Sequence, residues 1–203
     1  MKPISTLFVV LTAGVLVAAS SSPESAAPET SEVVTGTDGG EFTATSKDFG
    51  EGAKIPVEHT CDGADRSPSL AWSGAPEGSK AFAIVMQDSD APKGTFTHWT
   101  AWNIPEGARA LDRGVPVKAK LGDGTIQGKN DFGRVGYAGP CPPKGSAHTY
   151  VFRVFALKAA LEIEEDSGPD TVLEAAKKQS LADAKLESTY ARTAQAETET
   201  DEQ

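Results

Sequence analysis

Short runs of apolar residues, some alternating with polar residues, dominate the middle of the chain. The run at 80–87 (KAFAIVMQ) is almost wholly apolar, and the run at 97–104 (THWTAWNI) is rich in Thr and Trp. At 148–157, aromatic and β-branched residues alternate with others. These compositions are typical of β-strands, and a period of two indicates a strand with one buried face. A similar alternation from Glu41 to Ser46 predicts an earlier strand.

Turn-forming residues separate these runs at short intervals. Clusters of Gly, Pro, Asp and Glu lie at 62–63, 75–78, 105–107 and 122–124. Short connections between strands favour an antiparallel arrangement, because parallel strands need a long crossover, usually through a helix. We therefore predict a mainly β fold, in the form of an antiparallel β-sandwich.

Helix-forming residues appear only near the end of the chain. After a Ser-Gly-Pro sequence at 167–169, the segment from Thr171 to Tyr190 is rich in good helix formers. Its larger apolar residues and alanines do not form one continuous stripe. We predict two short helices that pack against the sheet, with a break near 179–180.

The first residues have the pattern of an export signal. Lys2 precedes an apolar run from Leu7 to Val17, and small residues follow at 17–19. The run is shorter than the about 20 residues that span a bilayer, so a cleaved signal peptide at 1–19 is favoured over an uncleaved anchor. We expect the mature protein to be extracytoplasmic, either secreted, periplasmic or associated with the envelope, and to have no membrane span.

Two segments contain almost no large apolar residue. Residues 20–40 are rich in Ser, Pro, Glu and Thr, and residues 193–203 are acidic. Such compositions cannot offset the entropy that is lost when a chain is ordered. We predict a disordered linker at 20–40, one folded domain at 41–192, and a disordered acidic tail at 193–203.

Charge and motif content exclude several classes of function. The formal net charge of −10 argues against a nucleic-acid partner, because such proteins need basic residues to neutralise phosphates. The sequence also lacks the HxH, HExxH and CxxC spacings of metal sites, the Gly-x-Ser-x-Gly elbow of serine hydrolases and the phosphate-binding Walker loop. We expect no metal, no cofactor and no catalysis.

One loop is stiffened by proline. At 139–145 (GPCPPKG), three prolines and two glycines exclude a regular helix or an interior strand. This loop leads into the predicted strand at 148–157, where His148 and Tyr150 lie two residues apart and so share a face. An ordinary hairpin turn is the alternative interpretation.

Further polar residues lie at the ends of the other predicted strands. Asp88 and Asp90 follow the apolar run, and His98 lies at the start of the next one. Two carboxylates at this spacing can bind a metal, shift each other's pKa or orient a histidine. With the proline loop and His148 they would form a pocket for a small anion such as phosphate or carboxylate. Alternatively, these groups only satisfy each other's hydrogen bonds.

Several motifs, in order along the chain, resemble one known family. The segment 88–92 (DSDAP) resembles its DPDAP signature, 98–105 (HWTAWNIP) its HW…NIP strand, and 139–150 (GPCPPKGSAHTY) its GPxPPxGxHxY segment. Segments 60–72 and 130–137 are similar to it as well. The family is that of the phosphatidylethanolamine-binding proteins, in its prokaryotic Raf-kinase-inhibitor-like (YbhB/YbcL-like) branch. The similarity covers about 41–192.

The resemblance implies a Greek-key β-sandwich whose short C-terminal helices lie near a small anion pocket. It also implies that this pocket holds phosphate-like or phospholipid head groups. Ser89 replaces the usual proline and Thr149 replaces a common Arg or Lys. The second change removes a positive charge, so we expect weaker anion binding than is usual for the family. The residues that the resemblance assigns to the pocket are Asp88, Asp90, His98, Gly139, Pro140, Pro142, His148 and Tyr150.

The two cysteines leave two alternatives, a single disulfide or two free thiols. Cys61 and Cys141 both lie in segments that resemble the family. In an exported protein, a bridge between them would fasten the pocket loop to the front of the domain. Closing a loop of about 80 residues would contribute about 4–5 kcal/mol in the chain-entropy description.

The sequence as a whole favours an exported binding protein for a small anionic ligand such as phosphate, a phosphoethanolamine-like group or carboxylate. A protein–protein regulator that inhibits a protease or kinase is the first alternative, with a protein target as its partner. The second alternative is a hydrolase that uses His98 or His148 beside Asp88. An activated nucleophile is not evident in the sequence, which argues against this last reading.

Overall fold

The computed structural model describes residues 40–193. The predicted signal peptide, all of the linker except its last residue and all of the acidic tail except its first lie outside these described residues. A 3-10 helix covers Val57–His59 and an α-helix, α1, covers Pro169–Gln179. The strands are β1 (Thr43–Thr45), β2 (Leu70–Ser73), β3 (Ala81–Asp88), β4 (Phe96–Pro105), β5 (Ala110–Leu111), β6 (Ile126–Gln127), β7 (Ala147–Leu157) and β8 (Ser180–Ala191).

The strands form two antiparallel sheets within the described range. The smaller sheet has the order β1-β2-β5 and the larger has the order β6-β4-β3-β7-β8. One hydrophobic core contains residues of both sheets, including Trp72 of β2 and Phe82 of β3, whose ring centroids are 5.2 Å apart. The sheets therefore pack face to face, and the predicted mainly β, antiparallel sandwich is confirmed.

Strand β3 is buried on both faces, which explains its unbroken apolar sequence. It pairs with β4 along one edge and with β7 along the other. Its alternate residues enter two different cores. The core between the sheets receives Phe82, Ile84 and Met86. The core beneath α1 receives Ala81, Ala83 and Val85, which join Val172 and Ala176 of the helix.

The prediction of a second helix after residues 179–180 is wrong. Residues after Gln179 form strand β8, which pairs with β7 along almost its whole length. The backbone becomes extended at Ser180, and from Ala184 onward every second residue is buried up to Tyr190. Pairing with a long neighbouring strand therefore outweighs the helix propensity of this segment. None of the helices between residues 40 and 193 is long and apolar enough to cross a membrane.

A buried carboxylate connects three loops outside the large sheet. The side chain of Asp48 is 2% exposed and accepts hydrogen bonds from the backbone N–H and the hydroxyl of Ser69, at 2.7 and 2.9 Å. The guanidinium of Arg113 pairs with it, and Nε2 of His59 lies 3.7 Å away. Burial alone would raise the pKa of Asp48, but the hydrogen bonds from Arg113 and Ser69 outweigh burial and hold the pKa below its usual value.

Replacing this carboxylate by an amide tests how much it contributes. We expect Asp48→Asn to lower the free energy of unfolding at neutral pH by about 2 kcal/mol, since charge-assisted hydrogen bonds to a buried group are lost. A lowered carboxyl pKa stabilises the fold above its unfolded value of 3.8, and this stabilisation disappears as the pH falls through the lower, folded value. The deficit should therefore shrink in acid. Urea unfolding at neutral and acidic pH measures both effects.

Asp183→Asn is the matched control, because Asp183 forms a partly exposed pair with Arg153 at 3.6 Å. We expect that change to have almost no effect on stability. Equal losses in the two variants, or a deficit for Asp48→Asn that does not depend on pH, would contradict the role given to Asp48.

Candidate functional site

The end of β3 and the starts of β4 and β7 lie side by side. Asp88, the last residue of β3, is opposite Phe96 of β4 and Tyr150 of β7. A pocket of about 140 Å³ opens at this edge of the sheet. Its walls combine an aspartate and two histidines with mostly apolar residues: Asp88, Ala91, Pro92, Phe96, His98, Phe132, Cys141, Pro142, Pro143 and His148.

The central polar contact of the pocket joins β3 to β7. Nδ1 of His148 lies 2.7 Å from Oδ2 of Asp88, and the two side chains are 8% and 6% exposed. The other carboxylate oxygen, Oδ1, accepts the backbone N–H of Asp90 at 2.9 Å. Both oxygens are therefore engaged, which fixes the orientation of the carboxylate and, through it, that of the imidazole. The second ring nitrogen of His148, Nε2, is left for other contacts.

His98 is a buried neutral histidine. Its Nδ1 donates to the carbonyl of Ala138 at 2.8 Å, which assigns the tautomer and leaves Nε2 as an acceptor. Burial lowers its pKa, and the opposing effects of the Ala138 carbonyl and the charge of Asp88 do not outweigh burial. Aromatic rings contact the imidazole edge-on at 5.2–5.4 Å, and they belong to Phe96, Phe132 and Tyr150.

The structure brings only part of the predicted set to the pocket surface. Asp88, His98, Pro142 and His148 line it, whereas Asp90, Gly139, Pro140 and Tyr150 do not.

Asp90 and Tyr150 support the pocket from positions outside its lining. Oδ2 of Asp90 accepts the backbone N–H of Thr149 at 2.7 Å, and that hydrogen bond lowers the pKa of Asp90. The Tyr150 hydroxyl is buried and has no hydrogen-bond partner of good geometry among residues 40–193. Burial, followed by the nearby charge of Asp88, raises the pKa of Tyr150 far above its usual value. Tyr150 therefore stays protonated.

Gly139 and Pro140 attach the proline loop to the segment around Cys61. The N–H of Gly139 donates to Oδ1 of Asp65 at 2.6 Å, and a Cβ at this position would collide with the carbonyl oxygen of His59. Only glycine allows this close approach. The carbonyl of Pro140 accepts the N–H of Cys61 at 3.1 Å. Both residues shape the pocket without lining it.

Sequence reasoning missed most of the apolar wall. Phe96 and Phe132 pack edge to face with centroids 4.7 Å apart, and Phe132 remains 45% exposed. The loop of Phe132 is ordered by Asn130, whose Oδ1 accepts the N–H groups of Phe132 and Arg134. One signal in the sequence points to Phe132. A large aromatic residue within a stretch of turn-forming residues is not expected to be part of a hydrophobic core.

The structure joins Cys61 and Cys141 in a disulfide, with Cα atoms 5.4 Å apart and 80 residues between them in sequence. There are no free cysteines in the chain. Since Cys141 lines the pocket, the bridge connects one pocket wall directly to the loop that contains Cys61. Groups of three or more His, Cys, Asp or Glu residues arranged to hold a metal ion are absent from the described residues.

The environment of His98 has a measurable consequence. We expect its imidazole to titrate below the usual value of 6.5, because burial penalises the charged form more than its neighbours favour it. Its contribution to stability is therefore complete above 6.5 and declines as the pH falls. Proton NMR of the three histidines over a pH series measures the midpoint, and His98→Asn assigns the signal. A midpoint above 6.5 would contradict a neutral, buried His98.

Known proteins of one family resemble this chain in sequence. The sequence profile of the phosphatidylethanolamine-binding protein family matches residues 45–191. A UPF0098 protein of Methanothermobacter thermautotrophicus is 43% identical over 144 residues, which cover 71% of this chain and 95% of the relative. The UPF0098 protein YbcL of Escherichia coli is 45% identical over 126 residues, which cover 58% of this chain and 69% of YbcL.

A solved structure agrees with the sequence comparison. The crystal structure of E. coli YbcL, described as a member of the mammalian PEBP family, superposes with a TM-score of 0.71 at 37% identity. The match covers 75% of this chain and 99% of YbcL. Sequence and fold thus agree over the same region, and the chain belongs to the phosphatidylethanolamine-binding protein family.

Proposed function

We propose that this chain is an exported, non-enzymatic binding protein whose pocket accepts a small anionic group such as phosphate, phosphoethanolamine or carboxylate. The observation that carries the proposal is the contact between Asp88 and His148 in the pocket wall. A protonated His148 would donate Nδ1–H to Asp88 and keep Nε2–H for an oxygen atom of the ligand. Asp88 would then stabilise the positively charged imidazole to which the anionic ligand binds.

The charges around the pocket leave His148 as the group that can attract an anion. Asp88 repels a bare anion, His98 is neutral, and Tyr150 is protonated and uncharged. Attraction for an anion therefore depends on His148 in its charged form.

The size of the pocket limits what it can enclose. Its volume of about 140 Å³ is close to the about 150 Å³ of an apolar protein cavity that accommodates benzene. A phosphate, an acetate or a phosphoethanolamine group is of suitable size, whereas a whole diacyl lipid is far larger. The proposal is therefore that a head group, and not a complete lipid, occupies the pocket.

The lining also supports binding without turnover. It includes no serine, threonine or lysine, and its one cysteine is engaged in a disulfide. Covalent catalysis requires an activated nucleophile beside a base, and the base His148 has no such neighbour in the lining. Loss of ligand from solution with formation of a product would contradict this part of the proposal.

Calorimetric titration with phosphate, phosphoethanolamine and acetate tests the anion pocket. We expect saturable binding to the wild type, and at least about tenfold weaker binding to His148→Ala, which corresponds to about 1.4 kcal/mol. Thr189→Ala is the matched control, since Thr189 lies on the neighbouring strand β8, on the face opposite to His148, and does not line the pocket. Circular dichroism verifies that each variant is folded.

Two results would contradict the proposal. One is equal affinity in His148→Ala and the wild type. The other is the absence of heat with all three ligands in folded protein, which would direct attention to a protein partner.

Export is supported by the sequence pattern at 1–19 and by the disulfide, since disulfides persist mainly in oxidising compartments. We expect the full chain, expressed in a bacterium, to be recovered outside the cytoplasm with its N-terminus beginning near residue 20. Mass spectrometry of the intact protein measures the cleavage site. Recovery in the cytoplasm with residues 1–19 still attached would contradict export.

A further inference from the structure

The disulfide occupies an unusual place, because it is part of the pocket wall and is also accessible from solvent. Cys61 and Cys141 are both exposed, and Cys141 lines the pocket. We propose that the Cys61–Cys141 disulfide is a redox switch: the oxidised protein holds the pocket in its binding arrangement, and reduction by a low-molecular-weight thiol releases one wall and weakens binding. This inference rests on the proposed function of the pocket.

The bridge adds a covalent attachment to a proline loop that hydrogen bonds fasten at both ends. At one end, the N–H of Gly139 bonds to Asp65 and the carbonyl of Pro140 to Cys61. At the other end, the N–H of Gly145 donates to the carbonyl of Arg192 at 3.1 Å. Pro142 and Pro143 have no N–H to donate, and the carbonyl of Pro143 accepts the N–H of Ser146 within the same loop at 3.1 Å. The disulfide at Cys141 therefore adds a covalent attachment directly before this proline pair.

The segment 141–143 supplies part of the pocket lining. Cys141, Pro142 and Pro143 are consecutive residues, and all three line the pocket together with Asp88 and His148. A displacement of the segment would change the volume and the shape of the pocket while the opposite wall stays in place.

The segment around Cys61 has its own anchor and should stay in place after reduction. The carboxylate of Asp62 accepts a hydrogen bond from the hydroxyl of Tyr190 at 2.8 Å and another from Nε of Arg192 at 2.9 Å. The N–H of Gly63 also donates to the carbonyl of Thr60 at 3.0 Å. Release of the bridge therefore affects the Cys141 side more than the Cys61 side. We expect a local opening of the loop with both sheets intact.

The chemistry is ordinary thiol–disulfide exchange. A thiolate attacks one sulfur of the bridge, forms a mixed disulfide with that cysteine and releases the other cysteine as a thiolate. A second thiol then attacks the mixed disulfide. The two cysteines end as thiols, having gained two electrons and two protons, and the external compound ends as its own disulfide. Exposure of both cysteines gives the attacking thiol access.

Hydrogen–deuterium exchange and phosphate titration, each made on oxidised and reduced protein, test the switch. We expect reduction to increase exchange in residues 139–146 by about tenfold or more while residues 149–157 of β7 stay protected. We expect phosphate affinity to fall about tenfold, as it would if the loop kept its binding arrangement for one tenth of the time. Thiol titration verifies that reduction is complete.

The double variant Cys61→Ser with Cys141→Ser is the matched control. It should behave like reduced wild type with or without reductant, which separates loss of the bridge from other effects of the thiol. Unchanged exchange in residues 139–146 after complete reduction would overturn the switch, and so would increased exchange with unchanged affinity. If oxidised protein binds no phosphate, the anion pocket is contradicted, and the exchange measurement still decides whether the bridge holds the loop.

Discussion

Strand β3 is buried on both faces and hydrogen-bonded along both edges, and the rest of the described structure is arranged around this constraint. One face packs on the small sheet and the other on α1, so both faces are apolar from Ala81 to Met86. The first side chain with a full charge is Asp88, at the last position. The change from apolar to charged residues therefore occurs where β4 and β7 begin, and this position determines where a polar pocket can form.

The pocket at this edge has two walls that are held by different means. The sheet wall contains Asp88, His98 and His148, whose positions follow from strand register and from hydrogen bonds with buried partners. The loop wall has no strand to hold it and depends on hydrogen bonds at its ends and on the disulfide of Cys141. We propose that a charged sheet wall together with a covalently attached loop wall suits a small ligand with one charged group, and that the attachment makes the loop wall sensitive to redox conditions.

The parts of this arrangement that sequence reasoning predicted are those with a local signal. The strands at 80–87, 97–104 and 148–157 have a local pattern of apolar residues, and polar residues at their ends were evident as candidates. Strand β8 was predicted as helix because its composition favours helix and its pairing with β7 is not visible locally. Contacts across long separations were also missed, such as that of Asp48 with Arg113, 65 residues away, because spacing in sequence does not indicate distance in the fold.

We propose that the contact between Asp88 and His148 prepares the imidazole to receive an anion. Nitrogen-15 NMR of histidine-labelled protein, titrated with phosphate near pH 6, tests it most directly because the chain has 3 histidines and the signals report protonation of each ring nitrogen. The account predicts a saturable change in the Nε2 signal of His148, with His59 unchanged. Phosphate that leaves His148 unaffected, or that shifts all three histidines alike, would contradict the account.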